Sequence, residues 1–147
     1  MGWVVARRIH LPIAIAPHSV VTEGLVDDVF DRMRSQFQSN PNVVITDGDR
    51  ILARFAGRAG PFAFQTAEVI SFGDRQITFE HVGGTFLACQ ETFAFRPEDD
   101  GHTRIEHSGS FTMRGGLPGW LLGVVMVRRL FRTHVTDAMQ HSAATTP

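Results

Sequence analysis

From Val43 to Arg114 the sequence is a succession of short apolar segments broken by turn residues, and no stretch in it carries a helical period. Asp47-Gly48-Asp49 separates residues 43–46 from 50–56, and Gly57 to Pro61 is a longer break. Residues 62–72 follow, then a turn at Gly73-Asp74, then residues 76–82. Gly83-Gly84 reads as a two-residue hairpin turn, because glycine takes positive φ without strain. Residues 85–96, a loop at 97–101 and residues 102–114 complete six consecutive strands, the pattern of an antiparallel meander.

Such a sheet has one apolar face that must be covered, and the segments on either side of it supply the cover. Trp3–Leu11 reads as a first strand, ended by Pro12 and Pro17. Residues 22–38 then read as an amphipathic helix, with Val26, Val29, Phe30, Met33 and Phe37 at three- and four-residue spacings. Thr22 is the expected N-cap, with Glu23, Asp27 and Asp28 near the positive end of the dipole, and a short helical turn at 18–22 is expected before it. Asn40-Pro41-Asn42 stops this helix. After Gly115-Gly116 a long last helix is expected from Leu117 to about His141. Its stripe of Trp120, Val124, Val127, Phe131, Val135 and Ala138 needs a sheet to lie on.

With 147 residues the chain is expected to form a single domain over residues 1–141, with 142–147 a frayed tail. A hydrophobic fraction of 43 % and a charged fraction of 20 % exclude disorder over most of it. A formal charge of −1 lacks the basic excess that nucleic acid requires, so no nucleic-acid partner is expected. Cys89 stands alone, which excludes an internal disulfide and a cysteine-based zinc cluster. No Lys and no Tyr occur, so acid–base chemistry near neutrality must come from His, Asp, Glu or Cys89. Arg7 and Arg8 interrupt the first apolar run, so no signal peptide is expected. The longest apolar stretch, residues 117–127, is broken by Pro118 and Gly119 and falls short of the roughly 20 residues of a spanning helix. No integral membrane segment and a cytoplasmic location are the expectations.

One local pattern goes further. Phe95-Arg96-Pro97 ends a strand in a hydrophobic-x-Pro step, an acidic turn closes on Gly101, and Thr103-Arg104-Ile105 starts the next strand. With the Gly115–Gly119 entry into the last helix and the order of elements, the chain resembles the START-like, Bet v 1-like helix-grip superfamily (SRPBCC), which includes polyketide cyclase/dehydrase and lipid-transport proteins. The resemblance implies an α+β fold: a seven-stranded curved antiparallel sheet wrapped around a long C-terminal helix, with one or two short helices after the first strand. It also implies a cavity between sheet and helix that takes a hydrophobic small molecule. No cofactor is expected. Members include carriers, cyclases and cochaperone-like modules, so fold does not settle function. Without Tyr or Lys, no catalytic residue is carried over.

Alternation along strands selects the residues that face such a cavity. On residues 102–114, Ile105, His107, Phe111 and Met113 form the apolar parity. On residues 85–96, the matching parity holds Leu87, Cys89, Glu91 and Phe93. A five-residue loop at 97–101 sets Arg96 opposite His102 and Glu91 opposite His107. Glu91 and His107 would then meet among Leu87, Phe93, Phe111 and Met113, as a general acid–base pair or as a cross-strand ion pair that fixes register. Glu68 faces in or out depending on which parity of its strand is buried, and His81 is inward by its own strand but outward by the Gly83-Gly84 turn. Trp120 and Val124 would reach the cavity from the last helix. No metal is expected, because no histidine or cysteine spacing supports one.

Three functions fit this reading. One is a carrier of a hydrophobic lipid or polyketide-like compound. Another is a cyclase, aromatase or dehydratase with Glu91 and His107 as its catalytic pair. A third is a protein-interaction module that uses the apolar start of the last helix, where Leu121, Leu122, Val125 and Met126 lie off the stripe. That same surface could serve a homodimer or a transient membrane contact.

Overall fold

The computed structural model of the chain describes residues 10–59 and 61–144. Strand β1 (Ile13–Glu23) leads to helix α1 (Val26–Gln38). Strands β2 (Val43–Asp47), β3 (Arg50–Ala59), β4 (Phe62–Gly73), β5 (Gln76–Gly84), β6 (Phe86–Glu98) and β7 (His102–Met113) follow, with a 3-10 turn at Asp99–Gly101 between the last two. The chain ends in one helical run: α2 (Gly116–Leu122), a π-helical turn (Gly123–Val127) and α3 (Arg128–Ala144). All seven strands form one curved antiparallel sheet in the order β1-β7-β6-β5-β4-β3-β2.

Several local expectations change. Residues 3–9 of the expected first strand, and residues 145–147 of the expected tail, lie outside the described residues. The strand that is present begins after Pro12 and runs through Pro17, with a register shift between Ile15 and His18. Proline is tolerated there because an irregularity in the ladder needs no N–H from it. Thr22 lies in β1 and is buried, so it does not cap a helix. The cap position is Leu25, which makes no side-chain cap bond, and α1 is the one helix that follows β1. Gly24 makes the corner between them, its N–H donating to Gly101 O at 2.9 Å and its own carbonyl accepting from Thr103 Oγ1 at 2.8 Å.

Gly83-Gly84 is not a two-residue turn. Pairing between β5 and β6 stops at Glu80 opposite Gln90. Gly83 and Gly84 stay on β4 instead, opposite Ala67 and Thr66, and the Thr85 N–H donates to Gln65 O at 2.8 Å. A shift in the β4 ladder between Ala67 and Glu68 and another in the β6 ladder between Phe86 and Ala88 absorb the extra residues. The glycine is still required, because Gly84 adopts a φ of +117°.

The covered face carries two apolar clusters. The first joins Val26, Val29, Phe30 and Met33 of α1 to the middle of the sheet and to Val135 and Met139 of α3. The second joins Ile13 and Ile15 of β1, Phe86 and Cys89 of β6, and Phe111 and Met113 of β7 to Val127 of the π-helical turn. The last helix packs tightly on the sheet at Gly123. A Cβ there would lie 2.5 Å from Ile13 Cδ1 and 2.7 Å from Met113 Cγ. Overpacking at such a contact costs about 1–3 kcal/mol. Gly123→Val is therefore expected to lower the urea midpoint at unchanged m-value, whereas Gly48→Ala, with nothing within 4 Å of its added Cβ, costs only the local backbone strain. Equal losses at the two positions would show that the helix does not depend on this approach.

Candidate functional site

Where the two clusters fail to meet, a cavity of about 460 Å³ remains between the sheet and the last helix. Phe37 and Asn40 close it from the end of α1, and Phe55 to Arg58 bound it from β3. Phe79 of β5 and Phe86 and Phe93 of β6 form its back wall. Leu130, Phe131, Val135 and Ala138 of α3 form the front. The rings interlock: Phe37 lies 5.0 Å from Phe79, and Phe79 lies 5.7 Å from Phe93, edge to face.

Into this apolar space the sheet projects Thr66, Glu68 and Glu91. Glu68 is 8 % exposed and has no hydrogen-bond or ion-pair partner among the described residues. Burial, and next to it the charge of Glu91, push its carboxyl up to about 7. Glu91 Oε1 accepts a hydrogen bond of 3.0 Å from His107 Nε2. The imidazole is fully buried, its ring tilted against that of Phe93 at 4.8 Å, and its Nδ1 has no partner among the described residues. His107 therefore holds Glu91 from behind and does not itself border the cavity.

The pairing that brings them together differs from the expected one by two residues. β6 extends to Glu98 and the connection is a three-residue 3-10 turn, so Glu98 faces His102 and Arg96 faces Arg104. Glu91 then lies opposite Gly109, and His107 lies opposite Phe93. A two-residue error preserves the face, so Glu91 and His107 meet on the diagonal instead of directly. Gly109 makes this possible: a Cβ at that position would lie 3.1 Å from Glu91 Cγ and 2.5 Å from Gln90 O.

Of the other expected residues, Phe93 borders the cavity, and Phe111 and Met113 are buried in the second cluster beside it. Trp120 and Val124 pack on that cluster and do not border the cavity. Leu87 is 40 % exposed, because the shift between Phe86 and Ala88 turns it outward and puts Phe86 in its place. His81 is half-buried beside Phe86, with Phe86 O accepting from Nε2 at 2.9 Å, and burial lowers its pKa. Phe37, Phe55, Phe64, Phe79, Phe86 and Thr66 were missed as lining residues. The abundance of Phe without Tyr was the one sequence signal for an aromatic interior.

Glu68, Cys89 and Glu91 each bring one metal-ligand atom within 4.8 Å of the others. Two strands supply them, so no sequence spacing could reveal the cluster. Burial, followed by the two carboxylates, pushes the Cys89 thiol far up, so it stays protonated at neutral pH and is no ready nucleophile. At the start of the last helix Leu117, Leu121, Val125 and Met126 are exposed. No helix among the described residues is long and apolar enough to cross a membrane.

No protein-family model and no curated protein matches the chain. Solved structures do. TTHA0849 of Thermus thermophilus aligns over 89 % of this chain and 94 % of its own, at a TM-score of 0.73 and 18 % identity. A START superfamily protein of Mycobacterium smegmatis aligns over 92 % and 97 %, at 0.63 and 12 %. Norcoclaurine synthase of Thalictrum flavum, solved with dopamine and hydroxybenzaldehyde, aligns over 95 % and 88 %, at 0.64 and 14 %. At these identities the likeness is one of architecture, and the element order, the seven-stranded sheet and the gripped last helix agree with it. The chain has the helix-grip fold of the START-like and Bet v 1-like superfamily.

Proposed function

We propose that the chain binds a hydrophobic small molecule in the cavity between the sheet and the last helix. The observation that carries this reading is the cavity itself. At about 460 Å³ it falls within the range of sites that take drug-sized ligands. Its walls are phenylalanine and aliphatic side chains, with a few convergent polar groups to orient a guest. Removing apolar surface from water supplies about 25 cal/mol per Å², so a lipid-like or polyketide-like body is the chemistry such walls favour.

A second reading is catalysis of the cyclase, aromatase or dehydratase kind. The disparity between Glu68 and Glu91 favours it. Two carboxyls share one cavity, one held protonated near neutrality and the other hydrogen-bonded to an imidazole. Environments that split two acids in this way suit one to donate and the other to accept a proton. In that reading Glu91 and Glu68 touch the substrate, and His107, walled off behind Phe93, is a positioning residue.

Both readings rest on an accessible cavity. A fluorescent neutral probe, N-phenylnaphthylamine, is expected to bind the protein with Kd in the micromolar range. Val135→Phe, which fills the space from α3, is expected to weaken it about tenfold with the circular dichroism unchanged. Equal affinity in the variant would place the probe elsewhere and remove the cavity from the function.

The ionisation of Glu68 is separately measurable. Its folded-state carboxyl holds a proton up to about 7, against 4.5 for the ordinary group. Between those values the folded state binds the extra proton, so its contribution to stability is complete below pH 4.5 and is lost as pH rises through about 7. Glu68→Gln removes the titration. The variant is expected to gain on the parent by about 3 kcal/mol across that window and by nothing further above it. Urea midpoints at closely spaced pH values measure this, and a pH-independent difference would mean that Glu68 titrates as an ordinary carboxyl.

A further inference from the structure

The cavity carries two acids at its floor and is largely apolar elsewhere, and this combination narrows what it accepts. Glu68 is more than nine-tenths buried, points into the space and has no partner among the described residues. A Glu91 carboxylate oxygen lies within 4.8 Å of one of its oxygens. An isolated carboxylate in such surroundings is costly unless a counter-charge arrives. Of the neighbouring groups, Cys89 stays a thiol, Thr66 is neutral, and the His107 imidazole is bonded to Glu91. Arg58 borders the cavity too, but it is exposed, near the β3–β4 connection, where it meets water. Around the two acids stand the faces and edges of Phe79, Phe86 and Phe93, with Phe131 opposite on α3. Aromatic rings attract cations through their quadrupole, more so where water is excluded.

From this arrangement, and resting on the ligand-binding reading above, we propose that the guest is a hydrophobic cation: an aromatic or aliphatic body carrying a protonated or quaternary amine. Its nitrogen lies between Glu68 and Glu91 and donates to their oxygens where it bears hydrogen. His107, bonded to the other side of Glu91, holds that carboxylate toward the nitrogen. A carboxylate or phosphate ligand of the same body would bring like charge onto two buried acids, and could use Arg58 only at the rim. A neutral ligand would leave the charge of an ionised Glu68 uncompensated.

The test is a matched set of probes on one skeleton: naphthylethylamine, naphthylethanol and naphthylacetic acid. Each is titrated calorimetrically into the whole chain at about pH 8, above the titration of Glu68. The amine is expected to bind about tenfold or more tightly than the alcohol, and the acid most weakly. Glu68→Gln is expected to erase most of that preference, with thermal unfolding confirming that the variant is folded. Glu91→Gln should act in the same direction. If amine and alcohol bind equally, or the acid binds best, the cationic assignment is overturned while the hydrophobic cavity stands. A preference that survives Glu68→Gln likewise overturns it, because the charge would then be read elsewhere. Binding by none of the three overturns this inference and the ligand-binding reading together.

Discussion

A concave seven-stranded sheet presents more apolar surface than one helix can cover, and the chain meets this constraint with two separate contacts. α1 seals one end of the inner face through Phe30 and Met33, while the start of the last helix is pressed against the other at Gly123. The two contacts hold the remainder of that helix across the gap between them. The cavity is therefore not a packing defect in a single core. It is the region that neither cluster reaches, bounded by members of both: Phe79, Phe93 and Val135 from one, Phe86 from the other. Rigid packing on either side is what allows an unfilled volume to persist at a density close to that of a crystal elsewhere.

Polar groups inside such a volume are chosen one by one. His107 and Glu91 satisfy each other, and the ring is immobilised against Phe93. Glu68, two strands away in the sheet, receives no such support. The contrast sets the chemical character of the site: one acid whose charge is anchored, beside one whose charge is held in suspense by burial. A protein selected only for stability would replace the second with an apolar side chain of similar volume.

The topology was legible because strand alternation and helical spacing are local properties. The apolar parity of β7 and the stripe of the last helix could be read residue by residue. Long-range pairing was harder. The β6–β7 register slipped by two because a Pro-Glu-Asp-Asp-Gly segment reads as a loop, whereas Pro97 and Glu98 remain in the strand. The pair Glu91–His107 survived that slip only because the period of a strand is two. Leu87 did not survive, because a ladder irregularity changes parity and leaves no mark on composition. Pro17 and Gly83-Gly84 misled for the same reason: residues that break regular pairing also occur where a strand merely shifts register. The unsupported state of Glu68 was beyond reach, since it depends on what the neighbouring strands fail to provide.

The order of the strands has a kinetic consequence. β1 lies at the sheet edge and its neighbour is β7, with Ile13 opposite Phe111 and Glu23 opposite His102. More than half of the chain separates these partners, and contacts of high sequence separation slow folding. On the ribosome the first strand emerges long before its neighbour exists. The meander from β2 to β7 can zip up through short connections, but the ring of contacts around the cavity closes only when the last strand and the helix behind it have left the exit tunnel. Closure of the cavity is thus expected late in folding, and a nascent chain stalled before β7 exposes the phenylalanine wall that the finished protein encloses.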